Sequence, residues 1–303
     1  MSFRTFSIAP HVIPYQGSKR KIAAEIVKYI PFDTNCLYEP FVGSAAITLS
    51  AAANRLAKQY VIGDKLDSLS ELWQKIIDEP RQIAEDYYAM YTEQLSDPLN
   101  YYLCVRNRYN TERSPSALLF LIARCVKNSI RFNSSGEFNQ SADKRRLGMH
   151  PQKLLRELLR TSALLKGHTR VVSGDFRHII RHATKRDFIY MDPPWQGTSG
   201  PRDSRYAHLL DINELIAELE SLNKRGIPFV LSFDGTCGVK AYGNELPSSL
   251  NLLKVSIAAG RSTQATLLGR DEQTVESLYL SPGIEVKSTS PSAPMPEPEL
   301  MMF

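Results

Sequence analysis

The stretch Phe188-Ile189-Tyr190-Met191-Asp192-Pro193-Pro194-Trp195 decides the fold of this chain. Its first four residues are apolar and follow the charged run Lys185-Arg186-Asp187, a pattern that predicts a short buried strand. An acid, two prolines and an aromatic ring then stand at the carboxyl end of that strand. Because ligands of open α/β sheets bind at this edge, the stretch predicts such a sheet with a site at Asp192.

The four residues from Asp192 to Trp195 suit a flat base that carries an amine. Proline has no N–H and a fixed φ, so Pro193 and Pro194 predict a stiff loop whose backbone carbonyls are free to accept hydrogen bonds. A carboxylate, a carbonyl and an aromatic face can together grip an exocyclic amine. A plain proline-rich turn after a strand is the alternative that this motif alone leaves open.

A strand–turn–helix unit is predicted around Gly43. Residues 37–46 give a short strand, a tight turn at Gly43, and a helix with Ser44 as N-cap that follows the alanine-rich run to Ala57. Glycine lets a backbone approach a ligand closely, as at nucleotide-type sites. The unit has neither the G-x-G-x-x-G spacing of dinucleotide sites nor the G-K-[ST] of triphosphate sites, which argues against an NAD-dependent oxidoreductase.

Two further predicted strands end in acids. Residues 60–64 end in Asp64, about twenty residues beyond the glycine turn, where a carboxylate can reach ribose hydroxyl groups. Residues 171–176 end in Asp175 and Phe176, a pair able to hydrogen-bond to an adenine ring and stack on it. Each acid could instead cap a helix.

Strand and helix patterns alternate through the rest of the chain. An amphipathic helix over residues 212–224 is followed by a break at Gly226-Ile227-Pro228 and a buried strand over residues 229–233. This alternation predicts a mostly parallel, doubly wound α/β sheet. Residues 281–303 are rich in proline and polar residues, which predicts a disordered tail.

Positive charge is concentrated in the middle of the chain. Residues 101–170 contain 14 Lys or Arg against 4 Asp or Glu, a net of +10 in a chain whose total is +5. A basic segment on a mildly acidic remainder predicts a polyanionic partner, although solvated helix faces would account for some of the same residues.

A hairpin is predicted inside the basic segment. Residues 129–140 contain a Ser-Gly turn between two arms that carry Arg131, Asn133, Asn139 and Gln140. The forked ends of these side chains can read guanine and adenine edges in the major groove. Lys144-Arg145-Arg146 follows directly and suits phosphate groups.

Length and cysteine content favour a cytosolic globular enzyme. A chain of 303 residues can bury a large core, and it favours one large domain with an insertion. The four cysteines, at positions 36, 104, 125 and 237, form no C-x-x-C pair and indicate neither zinc nor a disulfide framework. The sequence contains no apolar run of transmembrane length and no signal-peptide pattern.

Taken together, these motifs resemble those of the alpha-class DNA adenine methyltransferases, which include the DNA adenine methylases of bacteria and their phages. Tyr15-Gln16-Gly17-Ser18-Lys19 is similar to that family's aromatic-x-Gly-x-Lys cofactor segment, and Glu39-Pro40-Phe41-Val42-Gly43 is similar to its glycine loop. Asp64 corresponds to the ribose-binding acid, and Gly136-Glu137-Phe138-Asn139 resembles an element of the target-recognition hairpin. Asp192 to Trp195 resembles the catalytic tetrapeptide, with tryptophan where tyrosine is usual.

The resemblance implies the Rossmann-like sheet of class I methyltransferases with an inserted, mainly helical target-recognition domain that bears the hairpin. It divides the chain into a catalytic domain, residues 1–65 and 166–280, and a recognition insertion, residues 66–165. It implies S-adenosyl-L-methionine as methyl donor, the N6 amine of a flipped-out adenine in duplex DNA as acceptor, and no metal. A separately encoded restriction endonuclease is a candidate partner, and the cytoplasm, close to DNA, is the expected location.

The residue patterns and the resemblance together predict a role for individual residues. The catalytic set is Asp192, Pro193, Pro194 and Trp195. The cofactor-binding set is Tyr15, Lys19, Glu39, Phe41, Gly43, Asp64, Asp175, Phe176 and Asp192. The DNA-binding set is Arg131, Asn133, Asn139, Lys144, Arg145 and Arg146. Two alternatives stay open: a methyltransferase that acts on cytosine N4 or on adenine in RNA, and a catalytically silent DNA-binding module.

Overall fold

A single mixed sheet forms the centre of the computed structural model, which describes residues 7–194, 210–237, 240–242, 246–261 and 273–285. Within these residues the strands follow the order β3-β2-β1-β4-β5-β8-β7, and β6 pairs with β5. The strands are β1 (Thr34–Glu39), β2 (Ala57–Asp64), β3 (Thr169–Ser173), β4 (Phe188–Met191), β5 (Phe229–Cys237), β6 (Lys240–Tyr242), β7 (Leu253–Arg261) and β8 (Gln273–Leu280).

Helices connect the strands and cover the sheet. Within the described ranges no helix is both long enough and apolar enough to cross a membrane. The helices are α1 (Ala23–Ile26), α2 (Ala46–Ala53), α3 (Asp67–Asp78), α4 (Pro80–Glu93), α5 (Pro98–Glu112), α6 (Pro115–Arg124), α7 (Pro151–Leu165), α8 (Phe176–Ile180) and α9 (Ile212–Arg225).

The predicted doubly wound sheet is confirmed. Strand β1 pairs in parallel with β2 and β4, β2 pairs in parallel with β3, and β4 with β5, so five neighbouring strands point the same way. Strand β8 runs antiparallel to both of its neighbours, β5 and β7. The chain winds outward from β1 in both directions, which places the topological switch point between the carboxyl ends of β1 and β4.

Each face of the sheet has its own hydrophobic core. Along β4, Phe188 and Tyr190 belong to one buried cluster, whereas Ile189 and Met191 belong to the other. Helices α1 to α7 contribute to the first cluster, and α8 and α9 contribute to the second. Because successive strand residues point to opposite faces and both faces are covered, β4 appears in the sequence as a continuous apolar run.

Five helices lie between β2 and β3, where the recognition insertion is predicted. Helix α4 packs against α6 and α7, and α3 packs against α6, α7 and β3. Trp73 of α3 and Leu118 of α6 share a buried cluster with Leu37 of β1. These helices therefore have a core in common with the sheet, and the domain boundaries at residues 66 and 165 stay a prediction.

The helix after the glycine turn is shorter than predicted. Helix α2 ends at Ala53 rather than at Ala57, and Arg55 has a left-handed backbone with φ of 53° before β2 begins. The predicted cap at Ser44 is also wrong, because Ala45 occupies the N-cap position without a side-chain hydrogen bond. Instead, the Thr48 N–H donates to Glu39 Oε2 at 2.8 Å, so the end of β1 supplies the acceptor.

Three other predicted elements have different limits. Strand β3 ends at Ser173, and Asp175 caps α8 by accepting a hydrogen bond from the Arg177 N–H at 3.0 Å, which confirms the alternative role of this acid. The hairpin is a tight turn with one antiparallel bridge, between Phe132 and Phe138, and without regular strands. Ser281, the first residue of the predicted tail, is buried against β5, and residues 286–303 lie outside the described part of the chain.

Candidate active site

Three acidic side chains stand at the carboxyl edge of the parallel strands. Glu39 is the last residue of β1, Asp64 is the last residue of β2, and Asp192 directly follows β4. Since β1 lies between β2 and β4, the three acids form a row across the switch point of the sheet. The fold thereby brings together acids from three distant parts of the chain at the edge where ligands bind.

Lys19 is the charged partner of Asp192. Its Nζ atom lies 2.8 Å from Asp192 Oδ2 and 3.6 Å from Glu276 Oε2, and it donates a hydrogen bond to the Gly17 carbonyl at 3.2 Å. Only 6% of Lys19 is exposed, and a buried ammonium group needs such partners to remain charged. Burial raises the pKa of both carboxyl groups, and the positive charge of Lys19 opposes that rise.

The glycine turn packs against the same N-terminal segment. Gly43 has φ of +42°, and a Cβ atom at this position would lie 3.3 Å from the ring of Tyr15. The indole N–H of Trp73 donates to the Gly43 carbonyl at 3.0 Å, and the hydroxyl oxygens of Ser18 and Ser44 are 2.7 Å apart. Residues 15–19 therefore touch the glycine turn at one end and Asp192 at the other, so that both belong to one site.

Glu39 is the most buried acid of the row. It is only 3% exposed, and its carboxylate accepts the hydrogen bond from Thr48 in the first turn of α2. Burial raises the pKa of Glu39 to about 7, and the nearby charge of Asp192 acts in the same direction. The sequence predicts that Glu39 holds the cofactor, whereas the structure shows a direct contact with the start of α2.

Asp64 connects the second strand to the glycine turn. Its Oδ1 atom accepts a hydrogen bond from the Leu66 N–H at 3.1 Å, and the backbone N–H groups of Gly43 and Lys65 act on the carboxylate so as to lower its pKa. Burial raises the pKa of Asp64 to about 6, although the side chain remains partly exposed. One partly exposed carboxylate is thus fixed beside the turn by the backbone.

Two stacked phenylalanine rings lie near the carboxyl edge. Phe41 and Phe176 have ring centroids 5.4 Å apart with 27° between their planes, and Phe41 keeps part of its surface exposed. Next to them, burial would raise the pKa of Asp175, but hydrogen bonds and charge from Arg177 outweigh it and lower that pKa. A partly exposed aromatic face close to fixed carboxylates suits a flat heterocycle.

The loop after β4 begins with a buried proline. Pro193 is buried and Pro194 is partly exposed, whereas Trp195 lies outside the described residues. The Tyr190 and Ser232 hydroxyl oxygens are 2.9 Å apart, and both side chains are buried next to this loop. Burial, together with the charge of Asp192, raises the pKa of Tyr190 well above its ordinary value, so its phenol stays neutral.

The chain matches a family model described as D12 class N6 adenine-specific DNA methyltransferase over residues 15–257. The chain belongs to this family. The match begins at Tyr15 and includes Lys19, the glycine turn and Asp192, which are the residues that the structure brings together. The family resemblance predicted from the motifs is thereby confirmed.

Individual relatives agree with the family. The DNA N-6-adenine-methyltransferase of Escherichia phage P1 is 27% identical over 190 residues, which cover 61% of this chain and 24% of that protein. The type II methyltransferase M.MjaIII of Methanocaldococcus jannaschii is 22% identical over 264 residues, 80% of this chain and 89% of that protein. The chain spans 24%, 44% and 34% of the length of three of the curated relatives it matches.

One solved structure of a methyltransferase is only distantly similar to this chain. Precorrin-6y C5,15-methyltransferase of Geobacter metallireducens aligns over 91% of this chain and 92% of its own, but with a TM-score of 0.33 and 9% sequence identity. Strand order and direction define the doubly wound topology.

In this D12-family chain, the basic loop after the hairpin is partly exposed and partly tied down. Lys144, Arg145 and Arg146 are all exposed. The Arg146 guanidinium also donates to Asp143 Oδ2 and Asn128 Oδ1, both at 2.8 Å, and to the Cys125 carbonyl at 3.2 Å. Arg146 thus shapes the loop in addition to any contact that it makes with DNA.

The hairpin side chains also divide into two groups. Asn139 is exposed, and Arg131 is half-buried. Asn133 Oδ1 accepts hydrogen bonds from the Ser135 and Glu137 N–H groups, so this amide builds the turn. Gln140 is buried and donates to Ser129 and to the Val126 carbonyl, so the prediction that it is available to read a base is wrong.

Asn128 connects the basic loop to the N-terminal segment of residues 15–19. Its backbone is left-handed with φ of 52°, and its carbonyl accepts a hydrogen bond from the Gln16 N–H at 3.1 Å. Its side chain donates to the Ile122 carbonyl at 2.8 Å and accepts from Arg146. The residue that directly precedes the hairpin is therefore in direct contact with residues 15–19.

Sequence reasoning missed Glu276. On β8, residues 276, 278 and 280 share one face, and Leu278 and Leu280 are fully buried in the core. Carboxylates are rarely buried without a partner. A glutamate on a strand face that is otherwise buried and apolar is therefore a sequence signal that indicates a buried ion pair at Glu276. Among the described residues, no group of three His, Cys, Asp or Glu side chains is arranged to hold a metal ion.

Proposed function

We propose that this protein transfers a methyl group from S-adenosyl-L-methionine to the N6 amine of adenine in duplex DNA. One observation carries the proposal: in a chain of the adenine-specific D12 family, Asp192 stands at the switch point of the sheet with Lys19 as its partner, beside the glycine turn. The turn and the loop after β4 offer neighbouring places for a methyl donor and an acceptor base.

The residues around the glycine turn fit the cofactor. Gly43 has no side chain, so its backbone can approach a ligand closely. A Cβ atom at this position would lie 3.3 Å from the ring of Tyr15, which leaves no room for a side chain on that side. The partly exposed carboxylate of Asp64 is fixed at a suitable position for ribose hydroxyl groups, and the Phe41–Phe176 pair offers an aromatic surface to an adenine ring. We assign these residues, with Lys19, Glu39 and Asp175, to cofactor binding.

We expect Gly43→Ala to weaken S-adenosyl-L-methionine binding by about tenfold or more. A side chain at φ of +42° is strained, and its Cβ would require the Tyr15 ring to move. Isothermal titration calorimetry measures the effect. The matched control is Gly167→Ala, which also has a positive φ, of +80°, but meets no atom within 4 Å. Equal affinity in both variants would contradict a close approach of the cofactor at Gly43.

Asp192 is proposed to prepare the adenine amine to attack the methyl group of the donor. S-adenosyl-L-methionine, when bound, supplies an electrophilic methyl group on a sulfonium centre. The lone pair of the amine is delocalised into the base, so Asp192 and the Pro193 carbonyl accept its two N–H groups and allow the nitrogen to pyramidalise. As the amine gains the methyl group and the bond from that group to sulfur breaks, positive charge would develop on nitrogen, and both acceptors would bind the transition state more strongly than the ground state. The proton held by Asp192 would then leave the nitrogen, which gives the neutral N6-methylated base. Alignment of the two substrates supplies much of the remaining rate enhancement.

The target adenine must leave the duplex to reach Asp192. Flipping a base out of the stack costs a few kcal/mol. Trp195, which lies outside the described residues, is proposed to stack on the flipped ring, since stacking on an aromatic side chain contributes roughly 1–3 kcal/mol per base. The stiff loop formed by Pro193 and Pro194 would hold that ring and the carbonyl in position.

Contacts with DNA are assigned to the basic loop and the hairpin. The exposed Lys144 and Arg145 suit phosphates, and Arg131 and Asn139 suit base edges. Asn133 and Arg146 are assigned to the same surface, which they also shape through the contacts described above. Charge supports this placement, because the hairpin and the basic loop both lie within residues 101–170, which carry a net charge of +10.

We expect Lys144→Ala to weaken DNA binding about equally for all sequences. The side chain is exposed and has no fork to read a base, so its loss should reduce the slope of log affinity against log salt by about 1. Fluorescence anisotropy at several salt concentrations measures both effects. Lys58→Ala is the control, because this exposed lysine lies at the opposite end of β2 from the site. A loss confined to one base position would instead make Lys144 a base reader.

A tritium-transfer assay tests the activity itself. Labelled S-adenosyl-L-methionine is incubated with the protein and either unmethylated duplex DNA or RNA. Label in duplex DNA supports the proposal, label in RNA alone would favour the RNA alternative, and DNA binding without label would favour a silent module. The buried ion pair of Asp192 at the sheet edge favours an active site over a silent one.

Duplex DNA is the proposed partner, in the cytoplasm and close to the chromosome. A separately encoded restriction endonuclease is a second proposed partner, supported by the several relatives named type II methyltransferases. Deletion of this chain's gene in a cell that holds such an endonuclease would then be lethal, whereas a solitary methylase would be dispensable in the same test.

A further inference from the structure

Glu276 lies in the active site without an assigned role. It belongs to β8, beyond the residues that the family model matches. Its Oε2 atom is 3.6 Å from Lys19 Nζ, and its side chain is only 13% exposed. Asp192 is thus one of two carboxylates that share a single buried lysine.

The sheet delivers the two carboxylates from different strands. Asp192 follows β4, whereas Glu276 stands on β8, which is separated from β4 by β5. On β5, the strand between them, the residue paired in register with Glu276 is Gly235, which has no side chain. Lys19 therefore contacts one carboxylate at the end of a parallel strand and a second on the neighbouring antiparallel part of the sheet.

Sharing the lysine changes what Asp192 can do. An ammonium group bound to a single carboxylate withdraws electron density from it and weakens it as a hydrogen-bond acceptor. The Glu276 carboxylate competes with Asp192 for the same ammonium group. Because attraction falls with distance, Lys19 interacts more strongly with Asp192 at 2.8 Å than with Glu276 at 3.6 Å. Loss of the second carboxylate would leave Asp192 as the only one of these two carboxylates that attracts Lys19.

We propose that Glu276 is a positioning residue that shares Lys19 with Asp192 and so keeps the Asp192 carboxylate available to the substrate amine. The inference rests on the proposed methyl transfer, because that reaction is what requires a strong acceptor at Asp192. Among the described residues, the titratable groups that act on this pair are Lys19, Glu39 and Tyr190.

Glu276→Gln removes the charge and keeps the shape. The rate of methyl transfer in a single turnover should fall about tenfold, which corresponds to about 1.4 kcal/mol of transition-state stabilisation. The KM values for cofactor and DNA should change less than about twofold, since only the acceptor strength at Asp192 is altered. The acid limb of the pH–rate profile should move to lower pH, because loss of a negative neighbour and a closer Lys19 both lower the pKa of Asp192.

A double-variant cycle separates positioning from structure. If Glu276 acts through Lys19, Glu276→Gln should add no further loss of rate in a Lys19→Met background, whereas independent structural damage would add to it. Glu25→Gln is the matched control, because it removes a carboxylate from an exposed lysine pair with Lys28 at 2.6 Å. Thermal melting checks folding, and Glu276→Ala, which also removes the charge, replaces Glu276→Gln if the latter does not fold.

Carbon-13 NMR of the aspartate carboxyl groups gives a reading that does not depend on activity. The pKa of Asp192 should be lower in Glu276→Gln than in the wild-type protein. The inference would be overturned if the wild-type protein is active and Glu276→Gln has the same rate, the same acid limb and the same Asp192 titration. The proposed function would still stand in that case. No methyl transfer by the wild-type protein would overturn the proposed function, and the NMR titration would still decide whether Glu276 acts on Asp192.

Discussion

Asp192→Ala is expected to abolish methyl transfer while the folded protein still binds DNA. Removal of one preorganised group that stabilises a transition state typically costs about 10²–10³ in rate, and alanine leaves no acceptor at this position. Folding should survive, because Lys19 keeps Glu276 and the Gly17 carbonyl as partners. Single-turnover tritium transfer measures the rate, and filter retention of labelled duplex DNA measures binding.

Two further variants sharpen this test. Asp33→Ala is the matched control, since this aspartate is exposed and precedes β1 at the opposite end of the strand from Glu39. Asp192→Asn keeps the size of the side chain and should also be severely impaired, because it retains a carbonyl but not the charge. Normal turnover by Asp192→Ala would remove Asp192 from the catalytic role.

Lys19→Met is expected to impair both stability and catalysis. It leaves two mostly buried carboxylates without their shared counter-charge, and their side chains are only 20% and 13% exposed. Breaking a fully buried ion pair costs about 3–5 kcal/mol, and the partial exposure here reduces the expected loss to roughly 1–3 kcal/mol. Denaturant unfolding measures the loss, and methyl transfer should fall by at least about tenfold because Asp192 loses the group that orients it.

The destabilisation by Lys19→Met should depend on pH. Burial already raises the pKa of Asp192 and Glu276 in the folded protein, and loss of Lys19 raises both further. A carboxyl group whose folded pKa lies above its unfolded value of about 4 opposes folding when ionised, so the penalty grows as pH rises through the folded pKa. The variant should therefore recover part of its stability as the pH is lowered from about 8 to about 5.

Lys28→Met is the control for this variant. Lys28 forms an exposed pair with Glu25, so its loss should change the free energy of unfolding by less than about 1 kcal/mol at any pH between 5 and 8. A Lys19→Met protein as stable as Lys28→Met at pH 8 would show that the Asp192 and Glu276 carboxylates do not need Lys19.

The sheet was predictable where strands are short and buried on both faces. The bounds of β4 follow directly from the apolar run of Phe188–Met191 between charged residues and Asp192. The end of α2 was not predictable, because alanine favours helix as far as Ala57, whereas the chain stops earlier with a left-handed Arg55 and enters β2. Tertiary pairing of β2 with β1 overrides the local helix propensity there.

The candidate site was predictable in part for the same reason, because two of its acids follow clearly marked strands. Asp64 and Asp192 follow strands that the sequence marks clearly, so their shared edge could be inferred. The Lys19–Glu276 contact joins the two ends of the chain across an antiparallel strand that was not predicted, and no local pattern specifies such a contact. Likewise, only the folded hairpin shows that Asn133 builds the turn and that Gln140 is buried.

Mass analysis of the methylated nucleoside tests the central claim most directly. The wild-type protein is incubated with S-adenosyl-L-methionine and unmethylated duplex DNA of mixed sequence, the DNA is digested to nucleosides, and the products are separated and weighed. Methyl transfer to the amine held by Asp192 predicts N6-methyldeoxyadenosine, absent from an Asp192→Ala reaction. N4-methyldeoxycytidine as the product, or no methylated nucleoside from a protein that is folded and binds both DNA and cofactor, would contradict it.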